Sequence, residues 1–384
     1  MERRSLVGPE LVRKLCLAAV AASLPLICLE AAVRVNIARQ AGQQRSALAL
    51  LGSAPLPDDG KDAELLHLLR PHPSGRIIYE LRPDMETRFF GQPLTTDSRG
   101  FRTFARERPM AGEPVRILGI GDSVMFGWGV ADGETYLAQL ERALAERSPQ
   151  TGWLTINTAV PGYNTAMEVE TLAVKGLELR PDLVLLGWVN NDLDLPHHLR
   201  PYPSALSPDR SFLYEWTARR LRRPGTDPFS APRIVAAGAG SREGTDESYL
   251  ASLGAERRSL VGRPAFDRAV QELARLARTH SFEVIVFNHR DRAPHLVKEA
   301  CSRLGFTLVN AYRHKKRFMR AQGIETEVGS SLTVSAADPH PSALGHRLLA
   351  EVLLESLEKR GYVRPLTPPG NLPAGRVEAR AIRQ

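Results

Sequence analysis

Ser123 sits in the run Val115 to Gly127, V-R-I-L-G-I-G-D-S-V-M-F-G, where a short apolar stretch stops at Gly121 and delivers the chain to a serine. Val115 to Ile120 has the length and β-branched ends of a buried strand, and Gly121 predicts a sharp turn after it. In an open parallel sheet, residues just beyond the carboxyl end of a strand line the ligand crevice, so a serine there is placed to act as a nucleophile. By itself Gly121-Asp122-Ser123 reads equally well as a helix cap, because Asp and Ser both favour that position. Three later clusters bear on the choice: Gly162 and Asn164 follow a second apolar stretch, Asn191 and Asp192 a third, and Asp338 with His340 lead into the last amphipathic segment. Singly, Gly162 reads as a turn glycine and Asn191 as a cap or turn former. Jointly they meet the needs of acyl transfer: a hydroxyl to attack, an imidazole to take its proton, a carboxylate to orient the imidazole, and amide donors for the developing oxyanion. The elbow pattern G-x-S-x-G is absent around Ser123, which argues against an ordinary α/β-hydrolase.

The elements that must position these residues alternate. Helical spacing of Tyr136, Leu137, Leu140 and Leu144 predicts a helix from Thr135 to Arg147, followed by a strand from Leu154 to Asn157. A helix from Thr165 to Leu179 and a strand from Leu183 to Gly187 complete a βαβαβ order. After residues 196–262, rich in Pro, Gly, Ser and Arg, the pattern resumes: helix Ala265 to Thr279, strand Phe282 to Phe287, helix Pro294 to Leu304, strand Phe306 to Asn310, and a last helix from about Ser342 to Lys359. The fold class is therefore α/β, with five parallel strands. The long break at 196–262 reads as an insertion, in which Phe212, Leu213 and Trp216 precede Arg219, Arg220, Arg222 and Arg223 in a pattern suited to a helix lying on anionic lipid. The simpler reading packs Trp216 on the main domain and solvates the arginines.

The chain has 384 residues, 43% of them hydrophobic and 24% charged, enough for a substantial core. Its net charge of +8 comes from arginines scattered among acids, with no finger or Walker pattern, so nucleic acid is not an expected partner. An uncharged apolar run from Leu15 to Leu29, preceded by Arg3, Arg4, Arg13 and Lys14, predicts a membrane anchor or a signal segment; it reaches Val33 only by accepting Glu30 at the interface. Four basic residues before the run against Arg34, Arg39 and Arg45 after it favour an inside N-terminus and an extracytoplasmic globular part at the inner (cytoplasmic) membrane. The organisation expected is a membrane segment at 1–33, a spacer and small strand-containing extension at 34–111, a main domain at 112–362, and a disordered tail at 363–384. Cys16, Cys28 and Cys301 support neither a disulfide framework nor a zinc site. His197 and His198, near Asp192 and Asp194, read as exposed loop residues rather than metal ligands, and no cofactor is expected.

Four motifs, Gly121-Asp122-Ser123, Gly162, Asn191-Asp192 and Asp338 with His340-Pro341, resemble the conserved blocks of the GDSL, or SGNH, hydrolase superfamily over roughly residues 112 to 362. The resemblance implies a three-layer α/β/α sandwich with a five-stranded parallel sheet ordered 2-1-3-4-5. It implies Ser123 as nucleophile and first oxyanion donor, Gly162 and Asn191 as the other donors, His340 as base and Asp338 as its acid. Two departures stand out: the family often places two residues between its acid and histidine, a position held here by Ala337, and Asn190 precedes Asn191 as a rival donor. Asp122 reads as a structural acceptor and His346, inside the last helix, as a packing or capping residue. The implied activity is that of a membrane-anchored serine esterase acting on acyl, including acetyl, esters of an extracytoplasmic glycan, lipid or small molecule. The alternatives are O-acyl transfer at the same site to an envelope polysaccharide, or a non-catalytic role in envelope assembly.

Overall fold

The computed structural model describes residues 9–49, 51–53, 55–57, 60–106, 112–196, 199, 205–206, 208, 211–214, 217, 253–289 and 292–363. His197, His198, Trp216, the arginines of 219–223 and residues 364–384 lie outside that set. The main sheet is built on strands whose side chains are apolar on both faces, as a parallel sheet covered on both sides requires. β8 (Leu183–Trp188) is buried along its whole length, and β6 (Val115–Ile120) is buried over its last four residues. They pair in parallel, Ile117 opposite Leu183 and Ile120 opposite Leu186. β7 (Trp153–Asn157) lies on the other side of β6, and β9 (Glu283–Asn288) and β10 (Thr307–Asn310) continue outward from β8. Numbered among themselves, the five parallel strands lie in the order 2-1-3-4-5.

The sheet does not stop at β7. β5 (Arg102–Thr103), β4 (Gln92–Thr96) and β3 (Glu86–Phe89) add to that edge as antiparallel strands, giving eight strands in the order β10-β9-β8-β6-β7-β5-β4-β3. Of the stretch from Ile77 to Phe90 only β3 joins the main sheet; β2 (Tyr79–Leu81) pairs instead with β1 (Leu69–Pro71) as a separate antiparallel pair. A four-residue helix, α2 (Leu65–Leu68), precedes β1.

The βα connections put α4 (Tyr136–Arg147) and α10 (Ala343–Lys359) against each other on one face of the sheet, and α5 (Thr165–Thr171) against α7 (Gly262–His280) on the other. α7 follows α6 (Ala255–Arg258) and buries Phe266, Val270 and Leu273 along one stripe. α8 (His295–Leu304) buries Leu296, Val297 and Cys301. Leu348, Leu349, Val352, Leu353 and Leu357 are the buried face of α10, each such side chain contributing about 1.5–3 kcal/mol.

Two segments depart from their periodicity. The stretch from Thr165 to Leu179 is helical throughout, but widens to a π turn at Leu172–Gly176 and tightens to a 3-10 turn at Leu177–Leu179, ending where Arg180 adopts a left-handed conformation. α9 (Tyr312–Ala321) has no counterpart in the sequence reading, because it buries only Lys315 and Met319 and its remaining length is mostly basic.

At the N-terminus, α1 (Pro9–Ala49) is a 41-residue helix, so residues 34–49 of the expected spacer continue the apolar segment. Its section Cys16–Gly42 is, among the described residues, the one stretch long and apolar enough to cross a membrane or serve as a signal sequence. Leu17, Val20, Leu24, Leu26, Ile27 and Leu29 are all exposed along it. Phe212 does not present itself to lipid: it is buried against Ile37, with the Arg34 guanidinium over its ring.

Candidate active site

The order of the parallel strands makes the chain leave β6 toward one side and later continue from β8 toward the other. The crevice at their carboxyl ends is where such sheets bind ligands. Ser123 lies there as the first residue of α3 (Ser123–Phe126). The cap and the serine turn out to be different residues: the Asp122 carboxylate accepts the Val124 N–H at 2.9 Å, which leaves the Ser123 hydroxyl to project outward. One turn later Gly127, at φ +90°, ends the helix in a conformation glycine adopts without strain.

His340 and Asp338 reach the same rim from the segment entering α10. His340 Nε2 stands 2.8 Å from Ser123 Oγ, and His340 Nδ1 stands 2.6 Å from Asp338 Oδ1. Burial opposes ionisation of Asp338, yet hydrogen bonds from the His340 side chain and backbone and from the Trp128 indole hold the carboxyl below its usual range. An ionised carboxylate only accepts hydrogen bonds, so Nδ1 carries the proton and Nε2 presents its lone pair to the serine. The shortened Asp-x-His spacing works because Asp338 Oδ1 also accepts the His340 backbone N–H at 3.0 Å, folding the carboxylate back onto the ring two residues later. Ala337 is exposed, and Asp338 is the carboxylate that meets the ring.

The donor candidates follow the ends of β7 and β8. Asn191 follows β8, is exposed, and donates its side-chain amide to Asp122 Oδ2 at 3.4 Å, the same oxygen that lies 3.3 Å from Ser123 Oγ. Gly162 follows β7 at φ +84°; a side chain there would meet the Tyr79 hydroxyl at 3.0 Å and Pro196 at 3.1 Å. Tyr79 holds this turn by donating to the Pro161 carbonyl at 2.8 Å. Asn164, beside them in the sequence, points away: it caps α5 and donates to the carbonyls of Asp194 and Leu260 at 3.0 and 2.8 Å.

Beneath the rim lie three buried carboxyls. Burial pushes Asp122 up, against the pull of the Val124 N–H and the His340 charge. Burial and the neighbouring Asp122 push Asp192 well up, and burial with Asp192 and Asp122 does the same to Glu168. Asp192 accepts the Thr165 hydroxyl at 3.1 Å. His346 is wholly buried, accepts the Tyr136 N–H at 3.2 Å, and is pushed down to about 3 by burial and the charges of Arg102 and His340, so it packs as a neutral ring.

Two residues important to this geometry, Trp128 and Arg102, carried no signal in the sequence, and a third residue, Phe90, borders it. Trp128 donates its indole N–H to Asp338 Oδ2 at 3.0 Å and stacks on His340, with ring centroids 5.1 Å apart and 21° between planes. Arg102 is buried: it pairs with Asp132 at 2.8 Å and donates to the carbonyls of Phe126, Gly127 and Val130 at 2.6–2.8 Å. Phe90 stands beside Trp128, ring centroids 5.1 Å apart. A side chain–backbone fork such as that of Arg102 depends on tertiary proximity, which local spacing does not encode.

A mostly parallel α/β sheet with a serine, imidazole and carboxylate in line at its carboxyl rim is an arrangement of serine hydrolases, and the family match narrows it to carboxylic ester hydrolases. The chain belongs to the GDSL-like lipase/acylhydrolase family, whose model matches residues 120–348. The solved structures it is similar to are distant in sequence. A catalytic mutant of Axe2, an acetylxylan esterase from Geobacillus stearothermophilus, is 15% identical with a TM-score of 0.39, the match covering 67% of this chain and 98% of that one. LAE5, an alpha/beta hydrolase enzyme from the metagenome of Lake Arreo, is 16% identical with a TM-score of 0.39, covering 65% and 97%. TesA is 13% identical with a TM-score of 0.37, covering 64% and 98%. No curated protein matches the chain.

Proposed function

We propose that the protein is a membrane-anchored serine esterase that cleaves acyl esters through an acyl-enzyme on Ser123. The observation that carries this reading is the continuous line from Ser123 Oγ through His340 to Asp338, with links of 2.8 and 2.6 Å. Ser123 Oγ attacks the ester carbonyl as Nε2 takes its proton, and Asp338 stabilises the imidazolium that results. The Ser123 N–H, the Gly162 N–H and the Asn191 amide are the donors for the oxyanion. His340 then protonates the departing alcohol. A water takes the alcohol's place, loses a proton to Nε2 and releases the acid, restoring Ser123.

The anchor is α1, and the hydrolase domain from 112 to 362 faces the extracytoplasmic side of the inner membrane, in keeping with the basic flank that precedes the apolar run. Its substrates are acyl-bearing glycans, lipids or small esters on that side. The protein should release p-nitrophenol from short-chain esters, and Ser123→Ala should lower kcat by at least about 10³-fold while the melting temperature stays within a few degrees. Turnover retained in Ser123→Ala would overturn the mechanism.

A further inference from the structure

β3 and β4 are joined by a two-residue hairpin, since Phe89 pairs with Gln92 and only Phe90 and Gly91 lie between. Both loop residues have positive φ, 52° for Phe90 and 72° for Gly91, the pattern of a type I′ turn. That turn favours Asn, Asp or Gly at its first position, and a bulky aromatic there is an outlier whose backbone strain the fold must hold in place. Phe90 returns little burial for it, being 48% exposed. What the turn does achieve is placement: Phe90 stands 5.1 Å from Trp128, and Trp128 stacks 5.1 Å from His340. Phe89, buried edge-on against Trp128 at 4.8 Å, fixes the hairpin over that surface. Phe90 and Trp128 thus extend an aromatic face outward from the base.

The face lies on the histidine side of the nucleophile. Nε2 must protonate the departing alcohol, so the alcohol half of the ester departs past this side, whereas the acyl carbonyl oxygen turns toward the Gly162 and Asn191 donors. The hairpin tip is also charged: Asp62 accepts the Gly91 N–H at 2.6 Å, and Arg88 lies 3.8 Å from Asp62 and bonds the Gly91 carbonyl. An alkyl chain laid on an open face with a charged border would remain half in water. A pyranose matches it, with one C–H-rich face to stack on the rings and a rim of hydroxyls for the border.

We propose that Phe90 and Trp128 form the subsite for a pyranosyl alcohol, making sugar O-acyl esters the preferred substrates; this rests on the esterase reading of the same site. Three esters separate the halves of the substrate: methyl 6-O-acetyl-glucopyranoside, ethyl acetate and ethyl octanoate, hydrolysed by the full-length protein and by Phe90→Ala and Phe90→Gly under pH-stat. Phe90→Gly relieves the turn, so an effect shared by both variants is not a folding effect. The expected result is KM for the acetyl glucoside raised about tenfold in both with kcat little changed, and kcat/KM for ethyl acetate within twofold of wild type. Equal behaviour of wild type and variants on the glucoside, or a loss confined to ethyl octanoate, would overturn the subsite. Calorimetric titration of methyl 6-O-acetyl-glucopyranoside into Ser123→Ala, with and without Phe90→Gly, reads the subsite apart from turnover. Binding that depends on Phe90 in a protein that hydrolyses none of the three esters would sink the esterase reading and keep the subsite; hydrolysis with Phe90-independent binding would do the reverse.

Discussion

The imidazole of His340 is held on three sides: by Asp338 at Nδ1, by Ser123 at Nε2, and by the Trp128 ring on its face. Trp128 is in this sense a positioning residue, acting on the base and its acid together. Trp128→Phe keeps an aromatic face but removes the hydrogen bond to Asp338 Oδ2. Such a bond to a charged group contributes about 1.5–3 kcal/mol, and with about half of that felt in the transition state kcat should fall about 4- to 13-fold with KM little changed. Steady-state kinetics check this, and a variant with unchanged kcat would remove Trp128 from the positioning role. His340→Ala should cost more than Asp338→Ala, because Trp128 and the backbone still orient the ring when the acid is gone. The triad candidates were legible in the sequence because each follows a strand end or enters a helix, positions that periodicity locates. Trp128 was not, since its partner Asp338 lies 210 residues away along the chain.

At the scale of elements, the sheet's antiparallel edge does more than lengthen it. β5 carries Arg102, whose guanidinium ties together the loop that follows α3 and so fixes where Trp128 lies. Its pairing with Asp132 is almost wholly buried, and removing one partner of such a pair leaves an uncompensated charge that costs about 3–5 kcal/mol. Arg102→Met should lower the denaturation midpoint by a corresponding amount, and the loss should shrink in the double variant with Asp132→Asn; additive losses would show that the pair is not coupled. β7, β8 and β9 were readable as apolar runs of four to six residues. β3, β4 and β5 were not resolved as sheet strands because they are short, partly polar and paired by residues far apart. α9 escaped for a related reason, its basic surface hiding the single apolar side chain it buries. Beneath the rim, Glu168 makes a pH prediction. Its carboxyl is pushed well up in the folded state, so the unfolded chain releases its proton first and the group's contribution to stability declines as pH rises above the ordinary carboxylate range toward the folded value. The melting temperature of Glu168→Gln minus that of the wild type should therefore grow from about pH 4.5 upward; a difference that stays flat with pH contradicts the raised carboxyl.

Across the whole molecule, the apolar helix and the hydrolase domain are joined by more than the chain. Glu30 accepts the backbone N–H groups of Phe212 and Leu213 at 3.1 and 2.7 Å, and Arg34 donates to the Ala205 carbonyl at 2.6 Å, so part of the 196–262 insertion seats on α1. The sequence flagged Glu30 as a charge tolerated in an apolar run, and this contact supplies a reason for it. Glu30→Ala removes those two bonds, and limited proteolysis at 211–214 should become faster while esterase turnover is retained; an unchanged cleavage rate would remove Glu30 from the docking. The proposed activation of Ser123 by His340 is tested by intact-mass and peptide mapping after treatment with a fluorophosphonate. One adduct is expected, on Ser123, absent in Ser123→Ala and formed at least about 10²-fold more slowly in His340→Ala. Labelling of Ser123→Ala at the wild-type rate, or a His340→Ala protein labelled as fast as wild type, would contradict it.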